Sequence, residues 1–204
     1  QMLVAEPAFA QCTSLRRVLV GGEALPTELV LRARAAIGAE VCNMYGPTEA
    51  AIVATSFRWD GRTEGATVPI GRPMANAEAY VLDKSRQLVP MGVPGELYLG
   101  GVGLARGYLN RPELTAERFV PHPFRSEPEA RLYRTGDLVR WLPDGNLEFL
   151  GRLDQQVKPL IPSELEALFH EIIQVEPGVL EWRELPDVKG ELAALDLVGS
   201  VVFD

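Results

Sequence analysis

Val41-Cys42-Asn43-Met44-Tyr45-Gly46-Pro47-Thr48-Glu49 is an apolar run of strand type that passes directly into a glycine-proline turn carrying an aromatic ring, a hydroxyl and a carboxylate. Pro47 fixes its own φ and Gly46 accepts dihedrals closed to other residues, so the turn can aim Tyr45, Thr48 and Glu49 toward one point. A tyrosine ring can stack on a purine, and a carboxylate can hold Mg²⁺ beside phosphate oxygens. The plainer reading of the same residues is a core aromatic followed by an ordinary turn.

Toward the N-terminus, residues 17–20 form a short apolar strand. Residues 26–37 form a helix with Pro26 at its first position and Gly38 closing it, and 41–44 form the next strand. Strand, helix, strand predicts a parallel sheet. Ligands of open α/β sheets sit beyond the carboxyl ends of the strands, which is where Gly21-Gly22 and the Tyr45 turn fall. Toward the C-terminus the pattern changes. Over 68–150, short strands at 79–82, 96–99, 138–141 and 147–150 are punctuated by Gly and Pro, with one helix near 112–119. Pro143-Asp144-Gly145-Asn146 has the composition of a hairpin turn. Tyr98, Tyr108 and Trp141 read as barrel or core aromatics, and His122 and His170 as isolated residues without a role.

The chain has 204 residues, 47% of them hydrophobic, enough for a substantial core, and a formal charge of -8 that would repel nucleic acid and anionic membrane surfaces. No run of about 18 apolar residues is present, so no membrane span is expected. Cys12 and Cys42 lack metal-type spacing and no secretory segment opens the chain, which predicts a reduced, cytoplasmic setting.

Four further blocks share an order with the turn. They are Gly21-Gly22-Glu23; Gly95-Glu96-Leu97-Tyr98-Leu99-Gly100-Gly101 running on to Ala105-Arg106-Gly107-Tyr108; Tyr133-Arg134-Thr135-Gly136-Asp137; and Gly151-Arg152-Leu153-Asp154-Gln155-Gln156-Val157-Lys158. From Leu15 to Lys158 the series resembles the adenylation domain of nonribosomal peptide synthetases, within the AMP-forming acyl ligases. The resemblance implies an α/β fold that is part of the acyl-adenylate-forming architecture. A parallel α/β portion (1–67) would precede a distorted β-barrel (68–153) and then a hinge with a small α+β tail (154–204).

It also implies a reaction. A carboxylic acid is activated by ATP with Mg²⁺ as acyl-AMP, and the acyl group passes to the phosphopantetheine thiol of a peptidyl carrier domain. Thr48 and Glu49 would be catalytic, with Thr48 at the α-phosphate and Glu49 the metal ligand. Tyr45 would stack on adenine with Phe149 on its other side, and Asn43 would bond the base's amino edge. Gly22 and Glu23 belong to the nucleotide site. Asp137, placed after a Thr-Gly turn, would accept the ribose hydroxyls, and Arg152 would contact ribose and adenylate. Leu19, Gly21, Met44, Ile52 and Val53 would line an acyl pocket without charge, suited to an apolar amino, keto or hydroxy acid. For Ile52 and Val53, plain core packing is the competing reading. Asp154 would be the hinge.

Two features depart from the family. Its phosphate loop with a lysine would lie upstream of Gln1 and its lid lysine is not recognisable, so these residues alone are expected to be inactive. After Lys158, Pro159-Leu160-Ile161-Pro162 interrupts the usual lid sequence, and Ser163 then caps a helix to about 170 with Glu166 at the capping-box position. With strands at 179–182 and 199–203, the tail reads either as a divergent lid or as the start of an inserted tailoring domain. Two other functions fit the residues less well: a non-catalytic platform docking a neighbouring domain or small accessory protein, and a ligase loading a free acid onto coenzyme A.

Overall fold

The computed structural model describes residues 4, 6–61 and 65–153, and the backbone of 201–202. The expected order of the first elements is present. β1 (Arg17–Gly21) leads through α1 (Thr27–Ile37) to β2 (Glu40–Tyr45), and the two strands run parallel with Gly21 opposite Met44. β3 (Thr55–Arg58) and β4 (Arg72–Pro73) extend this sheet antiparallel, in the order β1-β2-β3-β4. α1 packs Val30 and Ala33 against Leu25, Val41, Trp59 and Val68. That leaves Leu19, Gly21, Cys42 and Met44 on the opposite face of the sheet, since residues paired in a parallel ladder share a face. Pro26 is the residue before the helix rather than its first member: an antiparallel bridge to Thr67 holds it extended, with ψ at 135°.

Five of the remaining strands build a second sheet, curled as a half-barrel. β5 (Ala77–Leu82) and β6 (Gly95–Gly101) pair antiparallel. After β7 (Gly107–Tyr108) and α2 (Pro112–Arg118) come β8 (Phe119–Pro121), β9 (Arg131–Trp141) and β10 (Leu147–Arg152). The order is β10-β9-β6-β5, with β8 paired to β9. Leu97, Leu99, Val139 and Leu147, all without exposed surface, form its centre with Val81, Ile70, Ala50 and Ala54. Each such leucine contributes about 1.5–3 kcal/mol of apolar burial. Leu147 also joins this sheet to the first, because its carbonyl accepts the Ile70 N–H at 2.8 Å. The hairpin between β9 and β10 closes as expected, with Leu142 N–H donating to Asn146 O at 2.8 Å.

Tyr133 to Asp137 is not a turn ahead of a strand beginning at 138; all of it lies within the eleven-residue β9. The ladder with β6 passes from Glu96 opposite Leu138 to Tyr98 opposite Arg134, so Leu97 faces three residues of β9. Gly136 takes φ +75° at the centre of this bulge, a region L side chains rarely enter. Thr135 Oγ1 fastens it by donating to Leu97 O at 2.7 Å and accepting Asp137 N–H at 3.0 Å.

Asp154, His170, the helix expected from Ser163 and the strand at 179–182 lie outside the described residues. Within the strand expected at 199–203, Val201–Val202 forms β11, antiparallel to β7.

Candidate functional site

β2 ends at Tyr45, and the turn after it is fastened at both ends. Ala54 N–H donates to Tyr45 O at 2.8 Å, and Ile52 N–H donates to Pro47 O at 3.1 Å. A Cβ at Gly46 would lie 2.6 Å from Ala54 N and 2.7 Å from Ile52 O, so only glycine fits this approach. Thr48–Ala50 is a single 3₁₀ turn, after which Ala51 and Ile52 adopt φ of 57° and 69°. Positive φ at a β-branched residue is uncommon and costs energy, and such strain tends to collect at working sites. Thr48 is exposed and Glu49 half-buried.

Three residues expected at one ligand do meet. The Tyr45 hydroxyl donates to Asp137 Oδ2, and Arg152 Nη1 donates to Asp137 Oδ1 at 2.9 Å. Arg152 Nη2 also reaches Thr135 O at 3.2 Å. The register of β10 on β9 sets Arg152 directly opposite Asp137, so the bulge and the hairpin together deliver the pair to the end of β2. Asp137 is only 6% exposed. A carboxylate offers about four lone-pair sites, so the two protein donors leave room for further hydroxyl donors. Burial, reinforced by the Asp137 charge, raises the Tyr45 phenol well above its ordinary value and keeps it a donor. Phe149 packs against the same core cluster as Tyr45.

Other expected residues are placed as follows. Asn43 is 2% exposed, and its Nδ2 donates to Val68 O at 3.1 Å and Pro69 O at 2.9 Å. Its amide nitrogen therefore pins the strand to the 68–69 segment, and the acceptor of the group is Oδ1. Gly22 and Glu23 lie in the exposed loop after β1. Leu19 and Gly21 share a sheet face with Met44. Leu19 is 62% and Ile52 69% exposed, so neither is buried among the described residues. Val53 borders a cavity of about 150 Å³ lined by Ala50, Ala54, Met74 and Val102.

Tyr108 reads in the sequence as a barrel aromatic alone. Its ring is indeed packed in the barrel, edge-on to Phe119 at 5.7 Å, but its hydroxyl donates to Glu49 Oε1 at 2.5 Å. The Tyr133 hydroxyl lies 3.4 Å from it. The one trace in the sequence is the choice of tyrosine where phenylalanine would pack as well. His122, left without a role, is a buried latch: Nδ1 accepts Phe124 N–H at 3.1 Å and Nε2 lies 3.4 Å from Glu78.

Among the described residues no group of three or more His, Cys, Asp or Glu could cage a metal. One carboxylate beside a hydroxyl fits Mg²⁺, which keeps its waters and binds through one or two carboxylates plus substrate phosphates.

The AMP-binding enzyme family matches the chain over residues 1–109. The chain belongs to that family. Within the AMP-binding enzymes its relatives are nonribosomal peptide synthetases. A linear gramicidin synthase polypeptide of Brevibacillus parabrevis is 60% identical over 189 residues, covering 90% of this chain and 2% of the relative. Surfactin synthase subunit 2 of Bacillus subtilis is 51% identical over 166 residues, covering 77% of this chain and 4% of the relative. The chain thus spans only a few per cent of the length of these relatives.

Solved structures agree. A nonribosomal peptide synthetase protein containing adenylation and PCP domains matches with TM-score 0.66 and 34% identity, over 74% of this chain and 28% of that one. The Vibrio cholerae adenylation domain AlmE, in complex with glycyl-adenosine-5'-phosphate, matches with TM-score 0.62 and 36% identity, over 74% of this chain and 30% of that one. Among the described residues no helix is long and apolar enough to cross a membrane.

Proposed function

We propose that this chain supplies part of the nucleotide and acyl site of a nonribosomal peptide synthetase adenylation domain. The substrate carboxylate attacks the α-phosphorus of ATP, pyrophosphate leaves, and the acyl-adenylate then passes its acyl group to a carrier-domain phosphopantetheine thiol. The observation that carries this reading is the convergence of Tyr45 and Arg152, from two other strands, on the buried Asp137 carboxylate.

In such a phosphoryl transfer, positioning and charge neutralisation lower the barrier. Tyr45 and Phe149 would flank the base, with Asn43 Oδ1 at its amino edge and Gly22 and Glu23 nearby. Asp137 would hold the ribose and Arg152 would bridge ribose and adenylate. Thr48, exposed at the start of its 3₁₀ turn, would donate to the α-phosphate. Mg²⁺ at Glu49 would neutralise phosphate charge. Leu19, Gly21, Met44, Ile52 and Val53 would receive an apolar acyl side chain, and Asp154 would serve as the hinge between half-reactions. The solved relatives with a glycyl-adenylate and with a PCP domain support the product and the carrier partner.

In the intact protein, Glu49→Gln and Asp137→Ala should each lower acid-dependent ATP–pyrophosphate exchange by on the order of 100-fold or more, the scale of losing a transition-state electrostatic contact. Exchange within twofold of the parent in both variants would remove these roles.

A further inference from the structure

Glu49 is tied to the barrel at two points. Its backbone oxygen accepts the Ala105 N–H at 2.9 Å, and its side-chain Oε1 accepts the Tyr108 hydroxyl at 2.5 Å. Tyr108 is itself immobilised. Its N–H donates to Thr115 Oγ1 on α2 at 2.9 Å, and its ring meets Phe119 edge-on, with the planes at 68°. Because the Tyr108 proton points at the carboxylate, the Tyr133 hydroxyl 3.4 Å away faces an oxygen that can only accept from it. The three side chains therefore form one network, drawn from β9, β7 and the turn after β2, in which Tyr108 makes the short bond to Glu49 and Tyr133 faces both.

We propose that Tyr108 is a positioning residue that holds Glu49 for coordination of the divalent cation through Oε2 alone. The inference rests on reading Glu49 as the metal ligand. A donor fixed on Oε1 disfavours a two-oxygen bite, which suits Mg²⁺, whose near-ideal octahedral shell tolerates the narrow angle of a chelating carboxylate poorly. The hydrogen bond also orders a ligand side chain before the metal arrives, as outer partners of metal ligands generally do. Neither effect needs Tyr108 to touch nucleotide or substrate.

The test is Mn²⁺ binding to the intact protein, read by electron paramagnetic resonance in the presence of a non-hydrolysable ATP analogue, with the analogue's metal-free affinity measured separately. Tyr108→Phe keeps the ring against Phe119 and removes only the hydroxyl. It should weaken Mn²⁺ on the order of 10-fold, the size expected for a hydrogen bond to a charged group, and leave metal-free nucleotide affinity unchanged. The Mg²⁺ concentration for half-maximal pyrophosphate exchange should rise by the same factor. Tyr133→Phe should move both readouts in the same direction by less. Tyr98→Phe, which alters a hydroxyl facing Glu96, should move neither. Parental Mn²⁺ affinity in Tyr108→Phe, with affinity lost in Glu49→Gln, would overturn the proposal and leave the role of Glu49 standing. Parental affinity in Glu49→Gln would remove both.

Discussion

At Asp137 one buried carboxylate serves two donors that arrive from different strands, and this sharing has a measurable signature. Tyr45→Phe deletes one hydrogen bond to a charged group and should cost about 1.5 kcal/mol. Asp137→Ala leaves both the Arg152 guanidinium and the Tyr45 hydroxyl without that acceptor. It should cost about 3 kcal/mol, the low end for a broken buried pair because the Arg152 side chain keeps 29% exposure. Since the two changes act on one contact, adding Tyr45→Phe to Asp137→Ala should cost almost nothing further. Urea denaturation of the four proteins checks this, and additive losses would show that the hydrogen bond between them contributes little. Tyr45, Asp137 and Arg152 were legible as neighbours because each stands in an ordered motif with a chemical reason for its side chain. Tyr108 was not. Its partner is 59 positions away in the chain, and packing alone accounts for an aromatic at its position.

The elements were legible wherever periodicity governs them: the parallel pair β1 and β2, the helix between them and the β9–β10 hairpin all follow from apolar spacing and turn residues. What escaped was the interior of β9. Thr-Gly has the composition of a turn, and a bulge recruits the same residue types for the same reason, so the sequence reads as a break where the strand continues. Only pairing with β6, which no local pattern encodes, separates the two cases. The bulge lies directly beside Asp137, which bonds both Tyr45 and Arg152. Gly136→Ala must place a Cβ at φ +75°, which should cost about 1–3 kcal/mol in stability. Nucleotide affinity should fall with it, because relief of the strain moves Asp137. Calorimetric titration with ATP alongside thermal denaturation reads both effects. Stability lost with affinity intact would mean that the bulge serves the barrel and not the site.

Across the described molecule, all five tyrosines have phenols raised above the ordinary value of 10.0, with burial the largest cause in each. Four of them also donate to a carboxylate: Tyr45 to Asp137, Tyr80 to Glu78, Tyr98 to Glu96 and Tyr108 to Glu49. In a chain of formal charge -8, a phenolate at any of these positions would add negative charge beside one already held in place. The consequence for stability has a definite sign. The folded-state values lie above the unfolded value near 10, so between the two the native state binds more protons than the unfolded chain, and unfolding free energy falls as pH rises. The phenols' contribution is therefore complete at pH 7 to 9 and is lost progressively above about pH 10. A spectrophotometric titration of phenolate absorbance should show the native protein lagging free tyrosine and then ionising abruptly as it unfolds. Denaturant midpoints should hold steady from pH 7 to 9 and drop above 10. A smooth native titration centred at the ordinary value, with no loss of midpoint, would mean that the hydroxyl–carboxylate pairs are solvated in solution. Tyr45 would then be free to leave Asp137 before any ligand arrives.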